Sequence, residues 1–328
     1  MMKNKFFLSL GVILFLGLSA LRASAQSPSD EWQQAWPKTD FSKSLVPFDE
    51  IQSGGPEKDG IPSIDHPRFS LASETSYLSE TEPVISLYYN KIARAYPLQI
   101  LIWHEIVNDT LGDTPVAVTY CPLCNAAIVF DRRYKGQILE FGTTGKLRNS
   151  NLVMYDRSTG SWWQQFTGLA IIGTYAGKKL NKLPARLESF EKFKKRFPNG
   201  FVLNRPTKFS RAYGQTPYIR YDRSAKPFLY DGQLPTNIAP MARVIAIDDQ
   251  AWSYNFIRLI KNYQTQDLKI TWQKGRTSAL DTKNIAQGQD IGNISVQRKM
   301  NDQWQDIPYD LTFAFVFYAF HPQGRLHR

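Results

Sequence analysis

The chain has 328 residues, 42% of them hydrophobic and 13% aromatic, with 40 Lys and Arg against 29 Asp and Glu. That apolar content supports a packed core and excludes disorder as the main state. Two cysteines are too few for a disulfide scaffold, and they stand three positions apart, at Cys121 and Cys124.

The first residues carry Lys3 and Lys5, then an apolar run over 6–21, then Ala23-Ser24-Ala25. A basic start, an apolar stretch and a small-x-small site predict a secretory signal peptide over 1–25, cut after Ala25. Its loss removes Lys3, Lys5 and Arg22 and no acid, so the net charge falls from +11 to +8. A periplasmic or extracellular chain has no routine access to nucleic acid, and no nucleic-acid partner is expected. The basic excess then reads as solubility or attraction to an anionic envelope. The longest later apolar run, 311–320, is too short to cross a bilayer, so no integral membrane segment is expected after cleavage.

Residues 26–60 are rich in Ser, Pro, Asp and Gly and have no clear period, which predicts an arm that packs on the domain or stays partly mobile. A regular pattern begins near residue 83. Strands are predicted over 84–89, 116–120, 127–134, 137–141 and 201–203, with Lys135-Gly136 as a hairpin turn. Pro97 opens a predicted helix over 98–107. Ser189 caps another over 190–197, which stops at Pro198. A weak internal repeat lays 244–247 on 84–87, 269–272 on 117–120, and 320–324 on 196–200, at separations of 160, 152 and 124 residues. The expectation is a strand-rich α+β domain over 61–328, with two similar lobes, 61–235 and 236–328. The first lobe holds the cysteines and an extra excursion. In the second, Gln273 and Arg276 take the cysteine positions.

Cys-x-x-Cys serves as a redox couple, a metal half-site or a haem attachment, and Asn125 after the second cysteine removes the last use. The residues after Cys124 are β-branched and aromatic, so the turn is expected to join two strands. Pro122 fixes its first bend, and Asn125 tolerates a left-handed conformation at its end. As a mere staple the pair would contribute only about 2 kcal/mol, because the closed loop is so short. Two thiolates make half of a tetrahedral metal site. His104 is the best third ligand for copper or zinc, and Met154 is a possible soft fourth that would favour copper. Glu105 would orient His104 or act as an acid/base.

Residues 142–165 concentrate amides, hydroxyls, one Asp–Arg pair and two Trp. Asn149, Asn151, Asp156, Trp162 and Gln164 are candidates to line a polar ligand pocket. The plainer reading is a long loop whose Asn, Asp and Ser satisfy their own turns.

Several of these stretches occur together: 93–98, 104–109, 120–125, 145–156, 161–165, Pro217-Tyr218, 278–281 and the closing Phe320-His321-Pro322. In this combination the chain resembles the bacterial family called domain of unknown function 3179, over roughly residues 60–324. The resemblance implies an exported or envelope-associated protein. It brings no catalytic residues with it.

Two hypotheses follow. One is an exported protein with a Cys121/Cys124 site, completed by His104 and covered by the excursion. It would hold a transition metal, or cycle between dithiol and disulfide with a redox partner protein. The other is a non-catalytic envelope module that binds a small polar ligand through Trp162, Trp163, Asn149 and Asn151, its cysteines locking a turn as a local disulfide. No serine elbow, His-Glu-x-x-His or phosphate loop supports a hydrolase.

Overall fold

Short β-branched and aromatic stretches pair, mostly antiparallel, into five separate sheets of four or five strands in the computed structural model, which describes residues 28–328. The first contains Phe141–Arg148, Asn151–Asp156, Trp162–Gln164 and Leu169–Ile172, with Ile51–Ser53 added at one edge. The second contains Ile106–Leu111, Thr114–Cys121, Ala126–Asp131 and Lys182–Leu183. The third is built from Phe69–Leu71, Pro83–Tyr89, Ile92–Pro97, Arg186–Ser189 and Phe201–Leu203. Arg243–Ile247, Gln250–Ser253, Asp310–Phe313 and Arg325–His327 form the fourth. The fifth is Asn262–Gln264, Leu268–Gln273, Asn293–Met300 and Gln303–Asp306. Together they make a five-bladed β-propeller.

This overturns the expected α+β fold with lobes 61–235 and 236–328. Helix accounts for only 16% of the structure. The α-helices have six or seven residues each, too short to cover a sheet. Leu98–His104 and Tyr254–Ile260 serve instead as corners that carry the chain from one blade to the next. Nor do the two halves have separate main cores. One hydrophobic cluster runs from Ile64 to Val316 through all five blades. Ion pairs Lys182–Asp310 and Arg186–Asp306 join the halves further.

The repeated sequence stretches nevertheless occupy matching register positions within the ring. Val84 pairs with Pro97 and Glu188, and Val244 with Ser253 and Thr312. Thr119 faces Ile106, and Thr271 faces Asn262. Each copy ends with a seven-residue helix followed by a strand that pairs in parallel. The excursion is not a loop: it supplies strands of the first blade.

The helix predicted over 98–107 ends at His104, because Glu105 takes φ +57° and turns the chain into Ile106–Leu111. Ser189 caps Phe190–Arg196 as expected, its Oγ accepting the Lys192 N–H at 3.4 Å. The N-terminal arm packs on the first blade, where Trp32 and Trp36 lie 5.1 and 5.2 Å from the Trp162 ring. The signal-peptide reading falls on residues outside those described.

Candidate dithiol site

The strand Thr114–Cys121 leads into a one-turn 3-10 segment, Pro122–Cys124, and returns as Ala126–Asp131 with Cys121 facing Ala126. Asn125 closes the turn in the left-handed region, φ +52° and ψ +30°, where Asn and Gly are tolerated best. The turn therefore joins two strands, as its composition predicts. Its sulfurs are unbonded, 3.6 Å apart and buried.

A second hairpin closes over them. Asn149 and Ser150, at φ +53° and +59°, turn Phe141–Arg148 into Asn151–Asp156. The Ser150 carbonyl lies 3.4 Å from Cys124 Sγ and 3.8 Å from Cys121 Sγ. The Asn151 amide donates to Cys124 Sγ at 3.4 Å.

The two thiols are driven apart in acidity. Burial raises both. At Cys121 that effect is outweighed by the Cys124 thiol and by the N–H groups of Leu152, Cys124 and Leu123, which hold its pKa below the ordinary thiol value. Cys124 is pushed well above it by burial and by the neighbouring Cys121 charge. Cys121 is thus the more acidic thiol of the pair.

Glu105 borders this pair. Its carbonyl accepts the Tyr120 N–H at 2.8 Å, which fixes the helix corner beside the cysteine strand. The residue is 7% exposed, and its carboxyl makes no ion pair or side-chain hydrogen bond among the described residues but is not wholly cut off from solvent. Burial, and then the Cys121 charge, push its pKa up to about 8. The corner does not require this residue: the matching corner in the other copy holds Lys261, at φ +63° and ψ −32°, with its ammonium over Trp272.

Residues far away in sequence complete the enclosure. Tyr218 is pushed up by burial and by the Glu105 and Cys121 charges. Tyr221 donates to the Leu123 carbonyl at 3.1 Å and accepts the Phe228 N–H at 3.3 Å. Thr312 of the fourth blade donates to the Cys124 carbonyl at 2.8 Å. Pro217-Tyr218 belongs to the stretches of the resemblance, but nothing in the sequence places it beside the cysteine turn. Tyr221, Phe228 and Thr312 carry no local sequence signal.

His104 is buried nearby, but both ring nitrogens are engaged. The Pro62 carbonyl, 2.7 Å from Nδ1, can only accept, so Nδ1 carries the proton. Nε2 then accepts from the Tyr213 hydroxyl at 2.7 Å. Burial lowers its pKa further. Met154 is a buried core residue facing Trp163. Among the described residues, no group of three or more His, Cys, Asp or Glu is placed to share a metal ion.

The amides and rings proposed for a ligand pocket are used internally. Asn151 exchanges hydrogen bonds with Gln164, Gln165 and the Phe166 N–H. Asp156 accepts from the Thr159 N–H at 2.7 Å and the Trp163 indole at 3.0 Å. Trp162 is covered by the N-terminal arm. Only Asn149 borders a sizeable cavity, about 870 Å³, which lies between Arg148 and residues 229–237.

These features define a strand-rich propeller with a dithiol buried between two blades. The chain belongs to the family described as a protein of unknown function, DUF3179, which matches residues 58–324. No curated protein and no solved structure matches it.

Proposed function

We propose that this chain is an exported thiol–disulfide redox protein whose reacting groups are Cys121, Cys124 and Glu105. The observation that carries the reading is a pair of unbonded sulfurs, 3.6 Å apart and buried, with the largely buried Glu105 close enough for the Cys121 charge to act on its carboxyl. In the oxidising direction the Cys121 thiolate attacks one sulfur of a partner disulfide. A mixed disulfide forms, and the partner's other sulfur leaves and takes the proton of Glu105. The ionised Glu105 then accepts the Cys124 proton. The Cys124 sulfur attacks Cys121, and the second partner sulfur leaves as a thiolate. Two electrons pass from the dithiol to the partner, and Glu105 ends protonated as it began. The reverse sequence reduces the internal disulfide.

The engaged ring of His104 favours this chemistry over a metal centre, since the two thiolates would have to hold copper or zinc without it. Export rests on the basic start, the apolar run and Ala23-Ser24-Ala25. N-terminal sequencing of the exported protein should begin at Gln26.

The test is equilibration of the purified full chain in glutathione redox buffers, with thiols counted by mass. Two thiols should be lost together, and Cys121→Ser or Cys124→Ser should abolish the cooperative step. Thiols that stay reduced across the whole range, or stoichiometric copper or zinc released only on Cys substitution, would overturn the redox reading.

A further inference from the structure

Residues 204–242 connect the third blade to the fourth with no regular structure except the turn Tyr221–Arg223. Loops of this length inside a packed domain are uncommon and are usually either functional or linker segments. This one crosses the dithiol site: Tyr213 bonds His104, Tyr221 bonds Leu123, and the Phe228 carbonyl accepts from Ser150 Oγ at 2.5 Å.

Its outer face has a definite character. Lys208, Arg211, Arg220 and Lys226 are exposed, and none has an ion-pair partner among the described residues. Of the two acids within the loop, Asp222 is neutralised by Arg243, and the exposed Asp231, held by the neutral Gln52 amide, offsets only one of the four bases. Ile219 and Phe228 stand among these bases, 52% and 56% exposed. They flank Tyr221, the residue that covers the cysteine turn.

The loop is also unevenly fixed. Asp222 anchors one point, and Tyr230, packed 5.0 Å from Phe315, anchors another. Between them, among the described residues, 224–229 are tied to the site by the Ser224 N–H on the Tyr221 carbonyl and by the bonds of Phe228 to Tyr221 and Ser150. Leu229 sits at φ +49°, which disfavours a side chain without a local hydrogen bond. An outward shift of Phe228 would open the way to Ser150, whose carbonyl lies against both sulfurs.

We propose that this face is the docking surface for an acidic protein disulfide, and that docking draws Phe228 outward to admit the partner's sulfurs to Cys121. Acidic groups of the partner would meet Arg211, Arg220 and Lys226, and an apolar residue beside its disulfide would meet Ile219 and Phe228. This rests on the redox reading and adds the partner's charge and its place of contact.

The test uses the reduced full chain and two synthetic peptides, each closed by one internal disulfide and otherwise identical. One is flanked by Glu, the other by Lys. At low salt the acidic peptide should be reduced at least about tenfold faster, and the difference should collapse at 0.5 M salt, as expected of electrostatic steering. Arg220→Glu with Lys226→Glu should reverse the preference, and the milder Arg220→Gln with Lys226→Gln should erase it. Lys178→Glu with Lys179→Glu, on another surface, should change neither rate. Equal, salt-independent rates for both peptides would overturn the docking surface and leave the redox reading standing. Failure to reduce either peptide, or a small neutral disulfide, would overturn both.

Discussion

Glu105→Gln isolates the proposed acid. In the folded chain burial and the Cys121 charge raise the carboxyl from 4.5 to about 8. The folded state therefore holds a proton that the unfolded state has released, throughout the window between those two values. Unfolding free energy must fall as pH rises through that window and level off above it. Each unit is worth about 1.4 kcal/mol, so the full effect approaches about 5 kcal/mol. Gln keeps the shape and cannot ionise, so the variant loses this slope. Urea unfolding followed by tryptophan fluorescence, with reductant present, measures both proteins from pH 4 to pH 9. The difference between wild type and variant should move by several kcal/mol between pH 4.5 and 8 in favour of the variant at the alkaline end. Cys121 and Cys124 are common to both proteins, so their own titration largely cancels. The same pair compared in a Cys121→Ser background should keep most of the slope, because burial is the larger cause. Parallel curves for wild type and Glu105→Gln would refute the reasoning, since they would mean a carboxyl that ionises alike folded and unfolded.

Other expectations follow from packing and backbone geometry. Asn125→Ala should lower stability by about 1–2 kcal/mol, because alanine is forced into the left-handed region, whereas Asn125→Gly should be nearly neutral; thermal unfolding of both distinguishes this from a loss of side-chain bonding. Trp162→Ala should cost about 3–5 kcal/mol in urea unfolding and expose the N-terminal arm to limited proteolysis, since this ring joins the arm to the first blade. Asp156→Ala leaves the buried Trp163 indole and the Thr159 N–H without their acceptor, and should cost about 2–3 kcal/mol; an unchanged denaturation midpoint would show that the turn does not depend on it.

Much of the site's local geometry was legible in the chain. Cys-Pro-Leu-Cys-Asn dictates its own turn, because Pro restricts the first bend and Asn tolerates the left-handed end. The repeat separations reappear as strand register, since pairing depends on alternation along short segments. The architecture was not legible from this. Strands and two-turn helices in alternation suit an α+β sheet as well as a ring of blades. Only the packing of edges such as Lys182–Asp310 and Arg186–Asp306, more than a hundred residues apart, decides between them.

The chemistry divides along the same line. Sequence alone determined that the chain has two thiols and that they share one turn, and it placed His104 late on a helix ahead of them, though it ran that helix to 107 and missed the strand Ile106–Leu111 that intervenes. Backbone sterics act over a few residues, and those statements need no more. Tertiary structure decided that Pro62 and Tyr213 occupy His104, while Glu105 is left largely buried within reach of the Cys121 charge. It also brought Ser150, Tyr221 and Phe228 over the sulfurs. Which polar groups are satisfied, and which remain free to exchange a proton, depends on neighbours that only the closed ring supplies.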